Sequence, residues 1–170
     1  IVDLRTKQRR VLTSIVGDAY EPAWSPDGQH LVLWVRGKRV TIGGVRKPEG
    51  DHLVTCEVAS GACQLLTKGR NAEDQSPQWS FDGKWIAFAR RGIGWNIWIT
   101  RRDGTEEKRL TKGEAEDSYP TWSPDSQSVV FQSWRSGASF DLYEVKLDDE
   151  APRALARTDA VEEHQPVWVK

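Results

Sequence analysis

"PAWSPDGQHLVLW", residues 22–34, returns as "PQWSFDGKWIAFA" at 77–89 and as "PTWSPDSQSVVFQ" at 120–132. A further copy opens as "PVWVK" at 166–170. Aligned on Trp24, Trp79, Trp122 and Trp168, the copies stand 55, 43 and 46 residues apart. A second phrase keeps step: "RVLT" ending at Thr13, "QLLT" at Thr67, "KRLT" at Thr111 and "RALA" at Ala156. Nine or ten residues separate the end of each such phrase from the next Pro of Pro-x-Trp. A phrase that recurs at this period is architecture before it is chemistry.

Each unit divides into four short strands. The Pro-x-Trp segment is the first. Ser25-Pro26-Asp27-Gly28 reads as a type I turn, with proline fixing φ at the second position and glycine at the fourth. The second strand is "HLVLWVR", "KWIAFARR" or "SVVFQSW", and the third is "HLVTCEV", "NIWITRR" or "DLYEVKL". A turn such as Arg102-Asp103-Gly104 leads to the fourth, the Leu-Thr strand. These runs are β-branched and aromatic, too short for helices, and bounded by turn residues. The expected fold is all-β, a β-propeller of four-stranded antiparallel blades. The tryptophan of the first strand and the apolar second strand are placed to fill the space between blades.

The combination of Pro22–Gly28, Pro77–Gly83 and Pro120–Asp125 with "RSGASFDLY" at 135–143 and the Leu-Thr pairs at 12–13, 66–67 and 110–111 resembles the TolB-type propeller repeat, a WD40-like Pro-Asp repeat. Phe81 replaces the turn proline and Ser126 the turn glycine, and "GKRVTIGGVRKPEG" is inserted between the second and third strands of the first unit. Three full blades are expected at 22–67, 77–111 and 120–156, with partial blades at 1–13 and 166–170, in one propeller domain or segment over 1–170. Propellers of the type resembled usually have six blades, about 270 residues at about 45 per blade. The chain therefore reads as part of a larger propeller, or as one that self-associates to complete a ring, in preference to a compact four-blade ring.

Composition narrows the partners. Lys plus Arg number 24 against 25 Asp plus Glu, a balance that removes the electrostatic case for nucleic acid. No apolar run approaches the roughly 20 residues that span a bilayer, so membrane insertion is not expected. The chain has no methionine and opens on "IVDL", without the charged start of a signal peptide. It reads as a segment cut from a longer precursor. Cys56 and Cys63 flank Ala59-Ser60-Gly61 and are expected across one hairpin. Two readings stand for them: a cross-strand disulfide, which would argue for an oxidising compartment, or a reduced pair of small apolar side chains.

Catalytic chemistry is not visible. His30, His52 and His164 have no metal-ligand spacing and no nucleophile elbow, and each reads as a solvated strand-end residue. Asp27, Asp82 and Asp125 read as turn aspartates bonded to their own backbone. No enzyme, cofactor or metal is expected. The candidate partner face lies in the loops at one end of the blades. The connectors there are acidic: Asp18 and Glu21, Glu73 and Asp74, Glu116 and Asp117, Glu162 and Glu163. Gathered round the axis they would form a negative ring. Arg36, Arg91 and Arg135 recur twelve or thirteen residues after the anchor tryptophan. Trp34, Trp95 and Trp134 lie near the same loops, with Tyr20 and Tyr119 beside the inner strands. Trp, Tyr and Arg are the side chains that dominate protein interfaces.

The expectation is a non-catalytic module that binds a protein or peptide. The resemblance implies a periplasmic, or more broadly extracytoplasmic, place in a bacterial envelope. It also leaves two alternatives: a propeller that gates a prolyl-oligopeptidase-like or tricorn-like peptidase, and a carbohydrate-binding propeller.

Overall fold

The computed structural model describes residues 1–12, 16–42, 44–46, 49–69, 72–149, 151–156 and 165–166. Within them the chain is all-β. The first blade holds β1 (Val16–Trp24), β2 (His30–Ile42), β4 (Gly50–Glu57) and β5 (Cys63–Leu65), with β3 (Val45–Arg46) folding back on the end of β2. The second holds β6 (Ala72–Trp79), β7 (Trp85–Arg91), β8 (Trp95–Arg101) and β9 (Lys108–Arg109). The third holds β10 (Asp117–Trp122), β11 (Ser128–Ser133), β12 (Asp141–Lys146) and β13 (Arg153–Ala156). Within each blade every pair is antiparallel. Parallel contacts, Gly50 with Ala72 and Trp95 with Glu116, tie the third strand of one blade to the start of the next inner strand.

Strand alternation sends one face of each blade to each neighbour. Between the first and second blades Val32, Trp34 and Leu53 meet Trp79, Ile86 and Phe88. Between the second and third, Ala87, Ile97 and Ile99 meet Trp122, Phe131 and Val145. Trp79 and Trp122 each face the blade before them. Both are buried, and the Trp122 indole N–H donates to the Gln78 carbonyl across the interface at 3.1 Å. Trp24 departs from the expected packing and is 52% exposed. Its neighbour Ala23 faces the second blade, so Trp24 points to the opposite flank, where no blade lies among the described residues.

Part of that flank is closed by the N-terminal segment, whose Leu12 packs on Leu33, Val35, Ile42 and Val54. The contact repeats one seen deeper in the arc. Gly104 has φ +80°, and a Cβ there would lie 2.5 Å from the Leu66 carbonyl oxygen of the blade before. Gly61, φ +73°, stands in the same relation to the Leu12 carbonyl, at 2.3 Å. Leu12 thus occupies the place of the leucine in a Leu-Thr pair. Only glycine fits a left-handed turn pressed this closely on backbone.

The Leu-Thr pairs follow the fourth strands instead of forming them. Leu66 and Leu110 donate their N–H groups to the carbonyls of Leu53 and Ile97. The hydroxyls of Thr67 and Thr111, both buried, accept from the N–H groups of those same two residues at 3.0 and 2.9 Å. The threonine closes the ladder where the short outer strand leaves it, which explains why the pair recurs. Cys56 and Cys63 are register partners on β4 and β5 and form a disulfide, with Cα atoms 4.1 Å apart.

The inter-strand turns confirm the reading of the aspartates. Ser25 Oγ donates to Asp27 and accepts from the His30 N–H, while Asp27 accepts from the Gln29 N–H. Ser80 and Asp82 repeat the arrangement, as do Ser123 and Asp125. Ser126 adopts φ +59° where the other turns use Gly28 and Gly83. Its hydroxyl accepts from the Asp82 N–H of the second blade, an interaction glycine cannot make.

The turn carboxyls are held below the ordinary 3.8, at Asp27 by the Ser25 hydroxyl and the Gln29 N–H, and at Asp125 by the Ser123 hydroxyl and the Gln127 N–H. At Asp82 burial pushes upward but is outweighed by Ser80 and Lys84. A depressed carboxyl contributes stability that is complete above the unfolded-state pKa and lost as pH falls through the folded value. Thermal unfolding followed from about pH 5 to pH 2 should show a steep acid limb. That limb should flatten in the Asp27→Asn, Asp82→Asn, Asp125→Asn triple variant. An unchanged slope would show that these turns carry no such linkage.

Candidate functional site

Each inner strand must cross a proline, which has no N–H to give to the ladder. The crossing is a one-residue bulge in all three blades. The register breaks between Tyr20 and Ala23, between Gln75 and Gln78, and between Ser118 and Thr121. The residue before the proline takes a left-handed conformation every time: Glu21 φ +47°, Ser76 +53°, Tyr119 +50° and, at the next copy, Gln165 +47°. Such a conformation costs a non-glycine residue about 1–3 kcal/mol, and here it is adopted four times at one level of the fold. These four residues, with Pro77, Pro120 and Pro166, line a single cavity of about 320 Å³. Two of the bulge N–H groups are met by side chains of the blade before. Ser76 N–H donates to Glu21 Oε2 and Gln165 N–H to Gln132 Oε1, each at 2.9 Å.

The acidic connectors divide into two kinds. Asp74 and Asp117 are fully buried. Arg90 grips Asp74 through both carboxylate oxygens, at 2.6 and 3.0 Å, and also holds Glu107 at 2.6 Å. Arg135 binds both oxygens of Asp117 at 2.8 and 2.7 Å, and the Ser133 hydroxyl donates to the same carboxylate. Each guanidinium also lies over two rings, Arg90 over Phe88 and Trp98, Arg135 over Phe131 and Tyr143, at 4.8 to 5.5 Å. These two carboxylates tie the inner strand to the second strand and are closed to a ligand. Asp18, Glu21 and Glu116 are exposed, and Glu73 is half-buried beside Arg91 at 3.3 Å. Glu162, Glu163, His164 and Trp168 lie outside the described residues.

Counting from the anchor tryptophan brings together arginines that do different work. Arg36 bonds Asp51 at 3.2 Å and lies over Trp34 and Tyr20. Arg91 is exposed, and the clamping arginine of the second blade is its neighbour Arg90, which the counting passed over. A signal was present: Phe88-x-Arg90 puts ring and guanidinium on one face of a strand opposite Asp74. In the first blade the corresponding pair is Ala19 opposite Val35, and no clamp forms. Trp95 is half-buried against the core between the second and third blades. Trp134 is 38% exposed, edge-on to Phe140 at 5.1 Å. Tyr20 stacks on Trp34 with ring centres 4.4 Å apart.

His52 is fully buried in β4, its Nε2 3.1 Å from the Glu49 carbonyl oxygen, and is not the solvated strand end the sequence suggested. Its position on a strand buried on both faces is the reason. Among the described residues no three His, Cys, Asp or Glu side chains gather in a way that could hold a metal ion. The site the geometry offers is the axial cavity and its rim, with Glu21 and Tyr119 foremost. Ser76 and Gln165 belong to it and were not singled out from the sequence. The proline after each of them was the available signal, because a ladder cannot run through proline without a bulge.

The sequence model of the TolB beta propeller domain matches residues 47–170. The chain is 34% identical over 117 residues to an uncharacterized protein of Agrobacterium fabrum, covering 68% of this chain and 36% of that protein. It is 32% identical over 121 residues to the Tol-Pal system protein TolB of Anaeromyxobacter dehalogenans, covering 71% and 25%. It is 29% identical over 133 residues to YuxL, an uncharacterized peptidase of Bacillus subtilis, covering 76% and 19%. The chain therefore spans about a third or less of the length of these curated relatives. The solved structure of TolB from Acinetobacter baumannii superposes with a TM-score of 0.69 at 19% identity, over 92% of this chain and 36% of that one. With the recurring blade, the bulged prolines and the Leu-Thr closure in place, the chain belongs to the TolB beta propeller domain family.

Proposed function

We propose that this chain is a non-catalytic binding module that receives an extended segment of a protein or peptide at the axial cavity. One observation carries the reading: four residues in a costly left-handed conformation converge on a single cavity. Strain repeated at one level of a fold, with two of the freed N–H groups capped by neighbouring side chains, marks a surface held in shape for a ligand. The cavity is walled by proline and tyrosine and rimmed by Ser76, Gln165 and Glu21. Such a mixture suits a peptide, which brings both apolar side chains and amide groups. The relatives named for the Tol-Pal system support a protein partner.

The same reading puts the chain in an extracytoplasmic compartment of a bacterial envelope. The Cys56–Cys63 bond supports this, because such bonds persist in oxidising compartments. In the native cell both thiols should resist alkylation until a reductant is added. Labelling without reduction would contradict the placement. A second reading is favoured by the likeness to the peptidase YuxL: the propeller would present peptide segments to a hydrolase carried on the same polypeptide. Finding such a domain in the parent reading frame would favour it.

Selection from a displayed heptapeptide library, followed by chemical-shift mapping of the winning peptide, tests the binding site. The shifts should concentrate at Ser76, Gln78, Tyr119 and Thr121, and the bound peptide should be recovered intact. Enrichment of nothing, or shifts confined to the Asp27 and Asp82 turns, would overturn the reading.

A further inference from the structure

Glu21 is the only formally charged side chain lining the axial cavity among the described residues, and its carboxylate is held in place. The Trp34 indole N–H and the Ser76 backbone N–H both donate to it at 2.9 Å, and both bonds fall on Oε2. Neither donor carries a charge, so neither supplies a countercharge. The nearby guanidinium of Arg36 is occupied by Asp51 and by the faces of Trp34 and Tyr20. Among the described residues no hydrogen bond falls on Oε1. A carboxylate fixed by two neutral donors, with one oxygen left over, is prepared for a cation. Pro77, Pro120 and Tyr119 line the same cavity, apolar surface fit for a methylene stem that ends in a charge.

We propose that Glu21 is the specificity-determining residue of the axial cavity, selecting a lysine or arginine side chain carried on an extended peptide. The head group meets Oε1, and the stem lies along the prolines. The aromatic face of Tyr119, 37% exposed, adds a cation–π contact. The selection rests on the axial cavity being the binding site. It gives the ligand a charge and names the atom that reads it. The same carboxylate also joins two blades, so the test must separate charge from structure. Glu21→Gln does so, because the amide oxygen can still accept from Trp34 and Ser76 while the charge is gone.

Two capped pentapeptides, one with a central lysine and one with norleucine in its place, serve as probes. They are titrated into the full chain while the amide shifts of Ser76 and Thr121 and the Trp34 indole N–H are followed. The wild-type protein should prefer lysine by about tenfold, and the preference should shrink at about 1 M salt, where charges are screened within a few ångströms. In Glu21→Gln the preference should fall to about one, with the melting temperature and the Trp34 indole resonance of the free protein unchanged. A lysine preference that survives in Glu21→Gln would overturn the assignment. So would equal binding of the two peptides by the wild type, a result that stands even if the variant does not fold. Failure of both peptides to shift any cavity residue would remove the axial site itself, and with it the selection.

Discussion

The arrangement of the second and third blades depends on an arginine held between a buried aspartate and two aromatic rings. An inner strand bulged at a proline has a gap in its ladder, and the residues beyond the gap need another hold. Asp74 and Asp117 supply it by reaching Arg90 on the adjacent strand and Arg135 just beyond the end of it. Buried charge is costly unless geometry and hydrogen bonding are nearly complete. Here the carboxylates are bound through both oxygens, and the guanidinium faces are covered by rings. The first blade, with Ala19 opposite Val35 at the same place, has no such clamp. It carries instead the Arg36–Asp51 pair and the disulfide between β4 and β5.

The clamp changes what the connector face can offer. Seven described acids lie in the connectors, Glu114 among them, but Asp74 and Asp117 are paired inside the blades. The charge that remains at the cavity is that of Glu21. Among the described residues the cavity thus meets a ligand with one oriented carboxylate. Shape comes from the four left-handed residues, whose side chains differ in chemistry while their backbone conformation does not. A scaffold with a constant backbone and variable side chains at one cavity can change ligand without changing fold, which fits the range of relatives this chain matches.

The fold was legible in the sequence because its determinants are local. Proline, the Ser-x-Asp turn and the apolar strand recur in register, and each acts on its own stretch of chain. The role of the Leu-Thr pair was not legible, since the Thr67 and Thr111 hydroxyls serve N–H groups fourteen residues away. The disulfide was open to two readings until the register placed Cys56 opposite Cys63. Among the acids, sequence could not separate Asp74 from Glu73 or Asp117 from Glu116. The members of each pair are adjacent, and only strand alternation with the one-residue shift of the bulge decides which is buried. The same shift put Arg90, not Arg91, in the clamp. Trp24 matches Trp79 and Trp122 in sequence and differs from them in that no blade lies on its side among the described residues.

A double-mutant cycle on Asp117 and Arg135 tests most directly whether the connector acids are structural. Asp117→Ala and Arg135→Ala should each cost about 3–5 kcal/mol, because each strands a buried charge. The double variant should cost little more than either single one, a coupling of about 3 kcal/mol. Costs that add to within about 0.5 kcal/mol would mean that Asp117 is not held by Arg135. That result would contradict the clamp.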